Sequence, residues 1–154
     1  MPKTTVARTV AKLQADKALK GCILNPDAVR KWATVLRSRK YTQCQSRMAT
    51  PNKPITSPPF EVSPSSCTFC CLGVLSHLTD PSIFAPEQYT DCDYRLTYGK
   101  VSTCLTSTLR GDAADIISEY LAATLATLND SGHSFTYISK LLLAMLEDPY
   151  FIKD

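Results

Sequence analysis

Apolar residues recur at helical spacing in five stretches of the chain. In the first, residues 3–20, Val6, Val10 and Leu13 form a narrow stripe among the bases Arg8, Lys12 and Lys20, and Gly21 is a plausible stop. The stripe suits a helix that is peripheral, docked on a surface or induced by a partner. Asn25-Pro26 opens the second, because Asn caps a free backbone N–H and Pro loses nothing at the first helical position. Val29, Trp32, Ala33 and Leu36 then make a core face opposite Arg30, Lys31 and Arg37. The third, about Phe69 to Leu78, is apolar nearly all round and is capped by Ser66 or Thr68; Gly73 inside it implies close approach of another element. Asp112 to Leu128 is the fourth, with Ile116, Ile117, Tyr120, Leu121, Leu125 and Leu128 on one face. Asn129-Asp130-Ser131-Gly132 breaks it, and Ser134 caps a last helix carrying Phe135, Ile138, Leu142 and Met145, which Pro149 ends.

Period two is confined to the middle of the chain. Tyr94, Leu96 and Tyr98 alternate before a Tyr98-Gly99-Lys100 turn, and Tyr41-Thr42-Gln43 suits a short strand. Five of the ten prolines fall between Thr50 and Ser66, which reads as a loop over residues 50–66 and not as a domain boundary, since too few residues precede it to form a core. The expected fold is α+β and predominantly helical: about five helices with a small antiparallel β ribbon or sheet, in one domain spanning 1–154. The last two helices form an antiparallel hairpin because their connection is short.

Composition narrows the function classes. Hydrophobic residues make up 44% and charged residues 20%, a foldable chain. No apolar run approaches the roughly 20 residues of a membrane span, and the N-terminus lacks the apolar stretch of a secretory signal, so a soluble cytoplasmic protein is expected. With 5 glycines, a glycine-cradled phosphate site is disfavoured. The net charge is +3, but residues 1–53 hold twelve bases and two acids while residues 54–154 hold five bases and twelve acids. Either the first third meets an anionic partner or the two parts neutralise each other on one surface.

Arg30, Lys31, Arg37, Arg39, Lys40 and Arg47 are the strongest candidates for recognition, with Tyr41 interleaved as a possible stacking ring and Gln43 beside it. The seven cysteines form an odd set, expected to be reduced and partly buried. Cys67, Cys70 and Cys71 have the spacing of a partial zinc site, with Cys92, Cys104, His77 and His133 scattered; zinc is an alternative to packed thiols, and no cofactor is the primary expectation. Cys70 or Cys71 at a helix N-terminus also has the makings of a nucleophile, with His133 as base and Asn129 or Asp130 as its orienter. The bland reading of Asn129 and Asp130 is a helix stop; the functional one has Asp130 anchor a base such as Arg37 or orient a ligand.

Three segments, 25–43 (NPDAVRKWATVLRSRKYTQ), 69–75 (FCCLGVL) and 128–138 (LNDSGHSFTYI), in this order resemble a family of small proteins encoded by many bacteriophages and some bacteria. Typical members carry a Trp, then LRSGKY with a nearby Gln, then FCCLGVLC, then LND-x-G-x-SF-x-x-IA. Here Arg39 stands where the pattern has Gly, Ser76 where it has the last Cys, and the proline-rich stretch before Cys67 is longer and less charged. The resemblance implies an accessory protein of the infected bacterial cytoplasm and no particular chemistry. The expectation is a non-enzymatic protein that blocks or sequesters a host factor, such as a defence component, through the basic surface. Its partner would be a host protein or a nucleotide-type anionic ligand. The alternatives are a nucleic-acid-binding accessory protein and a small cysteine enzyme or zinc module.

Overall fold

The computed structural model describes residues 5–45, 48–52, 61–84, 109 and 111–154. The expectations for Arg47, the centre of the proline-rich loop, the strand and turn of residues 88–105, Cys92 and Cys104 lie outside the described residues. Among those described, five α-helices are present: α1 (Val6–Gln14), α2 (Pro26–Leu36), α3 (Cys71–Thr79), α4 (Glu119–Asp130) and α5 (Phe135–Leu146). β1 (Ala49–Pro51) and β2 (Cys67–Phe69) pair antiparallel. The fold is therefore predominantly helical α+β, as the periodicity predicts.

Local chemistry starts most of these helices. Thr5, Asn25, Ser118 and Ser134 cap α1, α2, α4 and α5 by accepting from the backbone N–H three residues on, at 3.1–3.2 Å. α1 stops at Gln14, short of the expected end at Lys20, because Asp16 accepts from the Ala18 N–H and starts a separate 3₁₀ turn, Lys17–Leu19. That turn drives Leu19 into the core, and Gly21 follows with φ +67°.

α5 is the centre of a three-helix layer. α1 lies along one side, with Thr9 bonded to Tyr137 near the start of α5 and Gln14 bonded to Asp148 just past its end, so the two run parallel. α2 lies along the other side and runs antiparallel. Ile23, before α2, bonds Phe151 and Lys153; the Ala33 carbonyl accepts from Ser139 Oγ at 2.6 Å; and Gln43, after α2, accepts from the Phe135 N–H. α4 returns to Ile117, which bridges Ile23 beside Ile152, so α4 and α5 form the expected antiparallel hairpin.

Besides the end of α1, the structure departs from the periodicity at three places. The fourth helix begins at Glu119 and not at Asp112. Its expected first turns are a 3₁₀ turn, Gly111–Asp115, followed by residues whose backbone serves another segment: Leu24 and Asn25 N–H both donate to Ile116 O, and Ser118 N–H donates to Cys22 O. With the helix starting later, Leu121, Ala122 and Leu125 face the core and Tyr120 is 63% exposed, not part of the apolar face. The third helix begins at Cys71, because Phe69 ends β2 and Cys70 is the cap, its sulfur accepting from the Gly73 N–H at 3.3 Å. Tyr41-Thr42-Gln43 makes a single parallel bridge to Phe69 and not a strand.

Gly73 does mark a close approach. A Cβ there would lie 1.8 Å from the carbonyl oxygen of Met48, the residue leading into β1. Trp32 is wholly buried and its indole N–H donates to the Cys71 carbonyl at 3.0 Å, tying α2 to α3.

Candidate binding surface

The basic turn after α2 is built from short-range bonds. Ser38 donates through both N–H and Oγ to the Val35 carbonyl, at 3.1 and 2.7 Å, and its Oγ accepts from Lys40 N–H at 3.3 Å. Arg39 between them has φ +67°, the left-handed region that favours glycine. Arg30, Lys31, Arg37, Arg39 and Lys40 are all exposed. The Lys40 ammonium lies 5.8 Å from the centre of the Tyr41 ring.

Tyr41 and Gln43, also expected in the set, face inward. Tyr41 is 5% exposed, its ring is edge-on to Phe69 at 5.0 Å, and its hydroxyl lies 2.7 Å from His77 Nδ1, so it offers no stacking face to a base. Burial raises its pKa above the ordinary phenol value. The Val62 carbonyl, 3.2 Å from His77 Nε2, can only accept, so that nitrogen carries the proton and Nδ1 accepts from Tyr41. Burial lowers the His77 pKa, the Val62 bond opposes this, and the charges of Lys40 and Glu61 pull in opposite directions.

Gln43 is half-buried and bonds inward. Its Nε2 donates to Asn129 Oδ1 at 2.9 Å and to the His133 carbonyl at 2.7 Å, and its Oε1 accepts from Phe135 N–H at 3.1 Å. Asn129 is wholly buried and all its bonding capacity is used. Oδ1 also accepts from Cys71 N–H, and Nδ2 donates to the Cys44 carbonyl and to Asp130 Oδ1. The three sequence segments that are far apart in the chain thus meet at one amide. Asn129 is a structural anchor, with no polar atom left to orient a ligand.

Burial works against Cys70 and Cys71 as nucleophiles. Cys70 and Cys71 do stand at a helix N-terminus, but desolvation outweighs the dipole: burial pushes the Cys70 thiol up to about 12 and the Cys71 thiol well above its ordinary value. Cys71 Sγ donates to the Leu125 carbonyl. His133 Nδ1 faces the Leu128 carbonyl and its ring packs 4.5 Å from Tyr137, so the structure assembles no triad from His133 and Asn129. Among the described cysteines, Cys22, Cys67, Cys70 and Cys71 are free thiols. Among the described residues no three His, Cys, Asp or Glu side chains converge as a metal site, and no helix is long and apolar enough to cross a membrane.

Topology adds cations that local charge counting misses. Lys140, in the acidic part of the sequence, is exposed on the second turn of α5, one residue from the Ser139–Ala33 bond. Arg8 is exposed on the first turn of α1, beside the Thr9–Tyr137 contact. Because α1 is parallel and α2 antiparallel to α5, the start of α1, the start of α5 and the end of α2 share one end of the layer. Arg8, Arg37, Arg39 and Lys40 stand at that end and Lys140 about one turn further in, level with Ala33, with Asp130 as an exposed acid bonded by Asn129. The other end is mixed: Asp16, Asp27, Glu147 and Asp148 alternate with Lys17, Lys20 and Lys153.

No protein-family model, curated protein or solved structure matches the chain.

Proposed function

We propose that the protein is a binding protein without chemistry of its own, which blocks or sequesters a component of its host by offering the cationic end of the layer to an anionic partner. The observation that carries this is Arg39. A non-glycine residue in the left-handed region costs about 1 kcal/mol, and here that cost holds a guanidinium outward between Arg37 and Lys40. Stability alone would favour glycine, so the side chain is retained for what it meets. The phage context proposed from the three-segment resemblance fits a small accessory protein that acts by occupancy in an infected bacterial cytoplasm.

A bound mononucleotide fits the surface poorly. The groove that Lys31 edges, about 420 Å³ in volume, lies between the start of α2 and α3, and its only other charged wall residue is Asp27. Arg37 and Arg39 are at the far end of that helix. An extended anion suits the distribution of charge better than a compact one.

Native mass spectrometry of protein purified from host cells, at low and at high salt, tests the reading. An anionic partner should co-purify at low salt, leave at high salt and be absent from an Arg37→Glu/Arg39→Glu variant. Retention by that variant would place the partner elsewhere on the molecule.

A further inference from the structure

We infer that the cationic end of the α1–α5–α2 layer binds the phosphate backbone of a nucleic-acid duplex. The inference rests on the reading of this surface as a site for an anionic partner, and it names the partner's class and widens the footprint beyond the turn at residues 37–40.

Spacing is the first argument. Packed helices lie roughly 8–10 Å apart, so three side by side present charge across about 20 Å. That breadth is enough to reach the phosphates on both sides of a groove about 12 Å wide. Arg8 and Lys140 stand on two helices of this layer and Arg37 at the C-cap of the third, and Lys12 and Arg30 extend the charge along it.

What separates the cations decides between partners. The exposed neutral positions beside them include Thr5, Ala7, Ala11, Thr34, Ser38 and Thr136, all small. Protein interfaces are depleted in Ala, Ser and Lys, and their Arg anchors work beside aromatic and apolar ones in desolvated pockets. Trp32 and Tyr41 are buried, and Tyr120, the large hydrophobic residue most open to solvent among those described, lies on α4 outside the layer. A single strand would need exposed rings to stack its bases. Small residues between exposed cations instead let helix surfaces approach a phosphate chain closely, with no base edge read.

Fluorescence anisotropy on the full chain, with labelled duplex DNA, duplex RNA, single-stranded DNA and poly-glutamate as probes, tests this from about 50 to about 200 mM salt. One duplex should bind with a log–log salt slope near −5 if the five end cations and part of the α2 row each meet a phosphate at about 0.9 per contact. Arg8→Ala/Lys140→Ala should lower the slope by about 2 although neither residue is near the turn in sequence. Lys20→Ala/Lys153→Ala, at the mixed end, should leave it unchanged. The side chains replaced make no hydrogen bond or ion pair among the described residues, and a thermal melt of each variant checks that it is folded. Equal loss in both variants would mean diffuse attraction, and tighter binding of the single strand would mean stacking; either overturns the inference. Binding of poly-glutamate alone, lost in Arg37→Glu/Arg39→Glu, would overturn it while leaving the anionic-partner reading intact. Binding of none of the probes would remove both.

Discussion

The Gln43 side chain donates to Asn129 Oδ1 at 2.9 Å, and through this bond the turn after α2 is fixed to the end of α4. The same Asn129 oxygen holds the Cys71 N–H at the start of α3, and Gln43 Oε1 holds the Phe135 N–H at the start of α5. Two side-chain amides therefore register four elements and set where the basic turn sits. Asn129→Ala leaves the buried Cys71 N–H and the part-buried Cys44 carbonyl without this partner, at up to about 1–3 kcal/mol for each group. A loss of roughly 3–5 kcal/mol is expected in urea unfolding. Asn129→Ala/Gln43→Ala should cost less than the two single variants together, with a coupling of about 1–3 kcal/mol. Strict additivity would show that the amides act separately.

Gly73 is a test of the α3–β1 contact. The atoms its Cβ would meet are the backbone oxygen and carbon of Met48, at 1.8 and 2.7 Å, which no rotamer change can move aside. Cys70 N–H also donates to that oxygen, so the strand cannot withdraw without breaking the bond at the helix cap. Gly73→Ala should destabilise by about 3 kcal/mol or more despite the better helix propensity of Ala, with Cys70 and Cys71 becoming open to alkylation. A neutral or stabilising effect in thermal melts would contradict the packing described.

What could be read from the sequence was what is decided locally. The Asn25-Pro26 start, the Ser134 cap and the core stripe of Val29, Trp32 and Leu36 depend on residues within a turn of one another, and they appear where expected. The start of α4 does not, because the backbone of Ile116 to Ser118 is claimed by Cys22 to Asn25, some ninety residues earlier, and this overrides a helical period. Cys70 as a cap was hidden because thiols are not among the favoured capping groups. Tyr41 looked accessible among charges, and its burial is made by Phe69 and His77 from other elements. The candidate surface was half legible: the turn is a local run of cations, whereas Lys140 and Arg8 join it only through the parallel and antiparallel packing on α5.

Ser76 is wholly buried in α3 and its hydroxyl has no hydrogen-bond partner among the described residues. An unpaired buried hydroxyl costs about 1–3 kcal/mol, and here no bond returns any of it. Ser76→Cys, the residue the resembling proteins carry at this place, and Ser76→Ala should both raise stability, by about 1–2 kcal/mol, a shift in Tm of roughly 2–8 °C. A lower Tm in both variants would mean that the hydroxyl is satisfied in solution.

His77 couples pH to the anchoring of the turn. Burial lowers its pKa from 6.5, so between that value and its folded pKa the unfolded chain binds more protons than the folded one. Stability is therefore fully present above pH 6.5 and falls as the pH drops below it. On protonation Nδ1 becomes a donor, so the Tyr41 hydroxyl must turn to accept from it while Nε2 still donates to Val62, and the cost is that of a charge in a half-buried site. His77→Gln, neutral at all these pH values, should flatten the dependence of Tm on pH below 6.5 while lowering Tm at pH 8. An unchanged slope in the variant would assign the acid sensitivity to other groups.

Arg39→Gly separates fold from recognition at one position. Relief of the left-handed conformation gains about 1–2 kcal/mol, and the greater freedom of glycine in the unfolded chain returns roughly 0.5–1 kcal/mol of it. A net stabilisation of about 0.5–1 kcal/mol follows, measurable as a higher urea midpoint with an unchanged slope. The same substitution removes a cation from the centre of the exposed set, so affinity for an anionic probe should fall about three- to tenfold at low salt and converge with the parent protein as salt rises. The signs of the two effects are opposite, and no loss of folding can imitate the second. A variant that is more stable and binds as well as the parent would leave the strained backbone at Arg39 without a function and would withdraw the observation on which the binding surface rests.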